Sequence, residues 1–277
     1  MKTEAEASPP ESDSAESHFS SYAEPLVREA IAHASALEAD PDAEVLHKLR
    51  VALRRLRSLL WAYRPLLDSG LDDRQRALFK QLAGSAGQTR DWDILIEILG
   101  ETVGPRRTPF DRLRAARAAA SERSREELSH ASMSFELQDA VTSSSAALNE
   151  THKNTSLKRF ARKRLDAAEK SLHKRMRVAS RSKRSNYAAY HEVRKAGKKV
   201  RYLLDFFEPL LGTKQLKTVK ELKRIQKRFG SLNDVVASEA LINNNPELFK
   251  DDRAVRDALR ILEKERKHRV RAAAKLL

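Results

Sequence analysis

Two segments of the chain repeat one another, and this internal repeat limits the folds that the sequence can form. The segment HKLRVALRRLRSLLWAYRPLL, residues 47–67, aligns without a gap with HEVRKAGKKVRYLLDFFEPLL, residues 191–211. The alignment pairs His47 with His191 and keeps a basic residue at most of the basic positions that follow. Self-similarity at this separation indicates a duplicated unit, so we expect two homologous halves.

A second pair of segments follows the first in each half. FKQLAGSAGQTRDWDIL, residues 79–95, aligns with LKRIQKRFGSLNDVVAS, residues 222–238. The alignment matches a lysine, a glycine and an aspartate: Lys80 with Lys223, Gly87 with Gly230, and Asp91 with Asp234. A weaker third match pairs the two RAAA segments that begin at Arg117 and Arg271. We therefore expect a first half at 19–150 and a second half at 151–277, joined near the polar stretch 149–156.

The composition predicts an all-helical protein. The chain has 8 glycines and 9 prolines among 277 residues, and it is rich in strong helix formers. Periodicity predicts helices at 19–38, 43–67, 72–87, 90–100, 108–130 and 134–148, then at 156–180, 186–211, 214–230, 233–243 and 248–277. Asp91 and Asp234 are expected to be N-caps. The acidic residues 1–18 are expected to be a disordered tail.

Each repeated histidine segment predicts an amphipathic helix with one strongly basic face. On the first helix, His47, Arg50, Arg54 and Arg57 fall within an arc of about 80°, opposite a leucine stripe. On the second, the basic arc is repeated, with one further lysine beside it: His191, Arg194, Lys198 and Arg201, and Lys195. No glutamate lies at four-residue spacing from any of them, although such pairs are usual on a solvated helix face; the one acidic residue at that spacing is Asp205, after Arg201.

This crowding of like charges favours a polyanionic ligand. Lys and Arg number 54 against 39 Asp and Glu, a formal net charge of +15. Arginine binds phosphate oxygens with two nitrogens at once, and a protonated histidine can donate from either ring nitrogen. A solvated basic face remains the alternative for either helix alone, and the duplication favours anion contact over it.

Other chemistry finds little support in the sequence. The chain has no cysteine, no phosphate-binding glycine loop and no paired histidines at metal-ligand spacing. Asp91 and Asp93 are more simply explained by helix capping and pairing with Arg90 or a neighbouring arginine than by Mg²⁺. We expect no catalytic residue, no metal site and no cofactor. No segment is apolar enough to span a membrane, so we expect a cytoplasmic protein.

The two H-x-x-R-x-x-x-[RK]-x-x-R helices and the two G-x-x-[RN]-D turns resemble the CHAD family, the conserved histidine α-helical domain, over roughly residues 20–277. The resemblance implies two duplicated four-helix-bundle halves, related by a pseudo-twofold axis, with a central basic channel that binds inorganic polyphosphate without catalysis. Departures from the family pattern are Val51, in place of a basic residue, and Ser58, where the second half has the aromatic Tyr202.

The resemblance also implies the ligand-binding residues. The first half would supply His47, Arg50, Arg54 and Arg57, with Arg55 at the edge and Lys80 on the channel wall. The second half would supply His191, Arg194, Lys198 and Arg201, with Lys195 and Lys199 at the edge and Lys223 on the wall. Arg117 and Arg271 depend on the weak third match alone.

We therefore expect a non-catalytic polyphosphate-binding protein that associates with polyphosphate granules. A basic helical protein that binds nucleic acid is the alternative, because the same net charge would permit it. Nucleic acid is otherwise expected as a competing polyanion. Trp61, Tyr63, Phe206 and Phe207 could stack on bases, but they could equally belong to the core.

Overall fold

A computed structural model describes residues 13–39, 43–104, 108–129, 133–151 and 154–277, and these residues form ten α-helices and no strand. The helices are α1 Ala15–Ala39, α2 Ala43–Tyr63, α3 Ser69–Ser85, α4 Gln88–Thr102, α5 Phe110–Ser129, α6 Met133–Glu150, α7 Leu157–Arg181, α8 Tyr187–Phe207, α9 Thr213–Asn244 and α10 Asp252–Ala274. The all-helical prediction is confirmed. None of these helices is long and apolar enough to cross a bilayer.

Local sequence explains several helix ends. Asp68, Ser156 and Asp251 each accept a backbone hydrogen bond with their side chain at the start of α3, α7 and α10. The helices α2 and α8 both end two residues before a proline, Pro65 or Pro209, which cannot continue the backbone hydrogen bonds. The predicted ends at 67 and 211 were therefore too late.

The first helix begins earlier than expected. Residues 13–18 were assigned to the disordered tail, yet α1 starts at Ala15. The carboxylate of Glu16 accepts hydrogen bonds from the backbone and the hydroxyl of Thr155, so the start of α1 is tied to the start of α7. The rest of the predicted tail, residues 1–12, lies outside the described residues.

The second half differs from the first at the repeated glycine. A helix break was predicted between residues 230 and 233, but α9 runs unbroken through Gly230. A helical glycine costs only about 1 kcal/mol relative to alanine, and Phe229, Leu232 and Val235 are all buried around it. In the first half α3 ends at Ser85, and α4 starts after Gly87.

The two expected aspartate N-caps are therefore wrong. Asp91 lies within the first turn of α4, which has Gly87 at its N-cap, and Asp234 lies in the interior of α9. Both aspartates instead lie close to arginines of the basic helices, as described below.

Packing brings the two histidine helices together. In each half the histidine helix packs against the preceding and the following helix, α1 and α3 around α2, and α7 and α9 around α8; α2 and α8 also contact one another. The leucine stripe of α2 and the apolar stripe of α8 belong to one hydrophobic cluster. A smaller cluster joins α4, α5, α9 and α10. Both clusters contain residues from each side of position 150, so the hydrophobic core is continuous across the expected boundary between the halves.

Candidate polyanion-binding site

The leucines of α2 orient its basic face. Leu49, Leu53 and Leu56 are 0–1% exposed, so the opposite side of the helix, which carries His47, Arg50 and Arg54, is directed away from the core. Those three residues are half-buried. The position of the site thus follows from the burial of the apolar stripe.

At the start of α2, Arg50 contacts the turn before α4. Its Nη1 donates to the carbonyl oxygen of Gly87 at 2.9 Å and lies 3.7 Å from Oδ1 of Asp91. Burial raises the pKa of Asp91, and the charges of Arg50, Arg194 and Arg90 oppose that shift. A Cβ atom at Gly87 would lie only 2.9 Å from Cζ of Arg50. Gly87 therefore leaves the space that the guanidinium occupies.

At the start of α8, His191 belongs to a small polar network. Its Nδ1 lies 3.1 Å from Oδ1 of Asn233 and 3.2 Å from the hydroxyl of Tyr187, and that hydroxyl donates to the same Oδ1 at 2.8 Å. Burial lowers the pKa of His191, and Lys195 and Arg194 lower it further. Burial and Arg90 likewise lower the pKa of His47.

The second repeated aspartate, Asp234, lies close to Arg194, the first arginine of the second histidine motif. Burial raises the pKa of Asp234, and the positive charge of Arg194 is the strongest effect that opposes it. The repeat thus conserves a relationship between an arginine of the histidine helix and an aspartate of the next repeated segment. This relationship, and not helix capping, explains why an aspartate occurs at both repeated positions, 91 and 234.

Cations from both halves meet where α2 and α8 approach. Burial lowers the pKa of Lys198 to about 7, and the positive charges of Arg194, Arg54 and Arg50 contribute to the shift. The Cζ atom of Arg54 lies 5.9 Å from the centre of the Tyr202 ring, a cation–π contact between the two helices. The free protein therefore holds several like charges at close range.

Three donors in this region are buried without a hydrogen-bond partner in the described part of the chain: Nδ1 of His47, Nε of Arg54 and Nε of Arg194. Unpaired buried donors cost free energy and are uncommon in folded proteins. Here they occur beside a surplus of positive charge. The protein's own residues therefore do not supply the acceptors and negative charge that the site could bind.

A cavity of about 220 Å³ lies between α2 and α8, and we call it the basic pocket. Six cationic residues line it, together with a serine and two aromatic residues: Arg54, Arg57, Arg76, Lys195, Lys198 and Lys199, with Ser58, Trp61 and Tyr202. No carboxylate occurs among these lining residues. Such a cavity attracts anions strongly, because low-dielectric walls concentrate the positive field.

The structure brings most of the predicted site residues together and places others elsewhere. Arg55 does not line the pocket and forms an ion pair with Glu29 of α1 at 3.5 Å. Arg201 lies 3.4 Å from Asp205 and donates to Gln226 at 3.0 Å. Lys80 and Lys223 are exposed on α3 and α9.

The two residues of the weak third match lie outside the site. Arg117 forms an ion pair with Asp93 at 2.8 Å, and Arg271 is exposed on α10.

The sequence did not indicate that Arg76 and the aromatic residues Trp61 and Tyr202 would line the basic pocket. Arg76 lines the basic pocket, and its Nη1 lies 3.3 Å from the carboxylate of Asp72, which is buried and also pairs with Arg64. The spacing of Asp72 and Arg76 is that of a helical ion pair, but nothing in it indicates which way the arginine points.

The aromatic residues divide between core and site. Tyr63, Phe206 and Phe207 are buried in the core. Trp61 borders the pocket, where Nζ of Lys199 lies 4.6 Å and Cζ of Arg164 lies 4.5 Å from the centre of its ring. Its ring therefore already contacts two cations.

Comparisons with known proteins agree with this architecture. A family model described as the CHAD domain matches residues 21–243. The crystal structure of the CHAD domain from the plant Ricinus communis is 25% identical, with a TM-score of 0.74, covering 100% of this chain and 97% of that chain. PptA from Streptomyces chartreusis is 18% identical, with a TM-score of 0.68, covering 95% of this chain and 97% of that chain. No curated protein matches the sequence.

Proposed function

The chain belongs to the CHAD family, a family linked to polyphosphate binding, and we propose that this chain binds inorganic polyphosphate between α2 and α8. Binding involves no hydrolysis and no transfer of phosphate. The two repeated halves would form the two walls of a basic channel, related by a pseudo-twofold axis, and the basic pocket would be part of that channel.

The basic pocket is the observation that carries this proposal. Its six cations come from α2, α3 and α8, and its described lining residues include no acid. Two of the six already pair with a carboxylate outside the pocket lining, Arg76 with Asp72 and Lys195 with Glu192. The remaining cations repel one another in the free protein, and a polyanion relieves that repulsion when it binds. A linear polymer with one charge on every repeating unit fits this group of cations better than a single compact anion does.

The accessible aromatic surface favours polyphosphate over nucleic acid. Single-strand binding uses aromatic rings on which bases stack, but Tyr202 is only 7% exposed and contacts Arg54. The ring of Trp61 contacts Arg164 and Lys199. The pocket thus offers cations to a thin chain and little free ring surface to bases.

The deciding experiment measures affinity for polyphosphates of increasing length, single-stranded DNA, RNA and ATP at one ionic strength by titration calorimetry. We expect long polyphosphate to bind most tightly, with affinity falling steeply as salt increases, because bound counterions are released. Equal or tighter binding of nucleic acid would contradict the proposal. Phosphate release from polyphosphate, followed over hours, should stay at the level of the protein-free control.

Alanine replacement of Arg50, Arg54, Arg57 and Arg194 locates the binding surface. The helices should persist by circular dichroism while polyphosphate binding is lost. The matched control replaces four exposed arginines outside the site, Arg123, Arg253, Arg256 and Arg260, and so removes the same charge. Similar losses in both variants would show that net charge alone determines binding.

Association with polyphosphate granules in the cytoplasm extends the same proposal. A fluorescent fusion should colocalise with granules in cells that accumulate polyphosphate. The fusion carrying the four alanines at Arg50, Arg54, Arg57 and Arg194 should be diffuse.

A further inference from the structure

A second cavity adjoins the basic pocket. It has a volume of about 290 Å³ and lies between α7 and α8, against Trp61 of α2; we call it the α7–α8 groove. Trp61, Lys195 and Lys199 line both cavities. The two lysines therefore form a wall shared by the pocket and the groove.

The groove is also basic, but it contains one carboxylate. Arg175, Lys195 and Lys199 line it together with Glu192. Nε of Arg175 lies 3.4 Å from Glu192, and the Nζ of Lys195 forms an ion pair with the same carboxylate. Glu192 thus neutralises part of the positive charge of the groove, and an incoming anion must compete with it for Arg175 and Lys195.

The outer edge of α7 continues the positive charge beyond the groove. Five exposed basic residues follow one another at helical spacing, and we call them the α7 stripe: Lys163, Lys170, Lys174, Arg177 and Arg181. They extend over about 27 Å of helix, and on the helix they lie beside Ala167, which lines the groove. Asp166 is an exposed acidic residue beside the stripe.

We propose that the α7–α8 groove and the α7 stripe bind a further stretch of the same polyphosphate chain whose first stretch occupies the basic pocket. This inference rests on the proposed function. A polymer longer than the pocket must leave it, and the wall formed by Lys195 and Lys199 gives it a continuous row of cations toward α7. Affinity then depends on chain length through the groove and stripe, whereas a short anion needs the pocket alone.

The test compares a stripe variant with a charge-matched control. The stripe variant carries Lys163→Gln, Lys170→Gln and Lys174→Gln. The control carries Arg256→Gln, Arg260→Gln and Lys264→Gln at exposed positions of α10. Affinities for tripolyphosphate and for long-chain polyphosphate are measured for both variants and the wild-type protein.

We expect the stripe variant to lose about tenfold in long-chain affinity, because three exposed charge contacts act together. Its affinity for tripolyphosphate should equal that of the wild type, and the control should keep the wild-type ratio of long-chain to short-chain affinity. Thermal unfolding checks that both variants stay folded.

Replacing Glu192 tests the groove itself. Glu192→Gln frees Arg175 and Lys195 without removing a cation, so long-chain affinity should increase and tripolyphosphate affinity should change less. Adding Arg175→Gln to that variant should remove the increase.

The outcomes separate this inference from the proposed function. An unchanged ratio of long-chain to short-chain affinity in the stripe variant overturns the inference while wild-type polyphosphate binding stands. Equal losses for both lengths also overturn it. Stripe-dependent binding to phosphatidylserine vesicles, with polyphosphate affinity unchanged, would assign the stripe to a lipid surface. If the wild-type protein binds no polyphosphate, the proposed function fails, and this inference fails with it.

Discussion

The guanidinium of Arg54, on α2, lies over the ring of Tyr202, on α8, with its Cζ 5.9 Å from the ring centre. The contact joins the two histidine helices at the basic pocket, which both residues line. The repeat places Ser58 opposite Tyr202 in the alignment, and Ser58 instead donates from its hydroxyl to the carbonyl oxygen of Arg54. The two halves thus contribute differently to one shared site.

Tyr202→Leu should weaken polyphosphate binding roughly two- to fivefold, the equivalent of about 0.5–1 kcal/mol for one cation–π contact. Leucine keeps an apolar side chain at this buried position but leaves Arg54 without the ring that orients it. Tyr202→Phe keeps the ring and should bind as the wild type does. Titration calorimetry on the three proteins checks this, and equal affinities for the leucine and phenylalanine variants would contradict it.

Polyphosphate affinity should decrease as the pH rises from 7 to 9. Burial lowers the pKa of Lys198 to about 7, so above that pH much of the free protein holds this lysine neutral. A bound polyanion favours the charged form, so binding takes up a proton, and affinity falls by up to about tenfold per pH unit. The pKa values of His47 and His191 are lowered from 6.5 in the free protein, so a Lys198 variant is needed to separate proton uptake by Lys198 from uptake by the histidines.

Calorimetry at pH 8 in two buffers of different ionisation enthalpy measures this proton uptake. Lys198→Arg is the control, because arginine stays charged throughout this range. The variant should take up fewer protons and depend less on pH. Identical proton uptake by both proteins would exclude Lys198 as the group that titrates.

The free protein should become more stable as the pH rises from 7 toward 9. The pKa of Lys198 is about 7 in the folded protein and 10.5 ordinarily, so the unfolded chain binds more protons across this interval, and the free energy of unfolding increases with pH. Lys198→Met removes the buried charge and should raise the stability at pH 7 by roughly 0.5–2 kcal/mol. The same variant should bind polyphosphate more weakly. Denaturant unfolding at several pH values tests both parts, and a less stable methionine variant would contradict the first.

Gly87→Ala and Gly230→Ala should affect polyphosphate binding differently, although the repeat aligns these two glycines. A Cβ atom at Gly87 would lie 2.9 Å from Cζ of Arg50, whereas a Cβ at Gly230 would have no atom within 4 Å. Gly87→Ala should displace the Arg50 guanidinium from Gly87 and Asp91 and weaken binding. Gly230→Ala should leave binding unchanged and stabilise the interior of α9 by about 0.5–1 kcal/mol. Weaker binding in the Gly230 variant alone would contradict this assignment.

The sequence predicted the positions of the helices better than it predicted the breaks between them and the contacts at those breaks. Helices were placed within a few residues because apolar periodicity and proline positions are local signals. The break expected within α9 was wrong, because the burial of Phe229, Leu232 and Val235 outweighs the small cost of Gly230 in a helix. Asp91 was expected to cap a helix, and its real partner, Arg50, is distant in the sequence.

Residue order was enough to predict a helical chain with an internal sequence repeat, in which each repeated segment forms a histidine helix with one basic and one apolar face. These properties depend on residue order and on 3.6-residue periodicity, which act within a single helix. Three features could not be predicted in this way: Arg76 lines the pocket, Arg55 pairs with Glu29 instead, and the pKa of Lys198 is lowered to about 7. Each of these depends on which helices pack against α2 and α8, because burial and charge proximity are properties of the assembled fold.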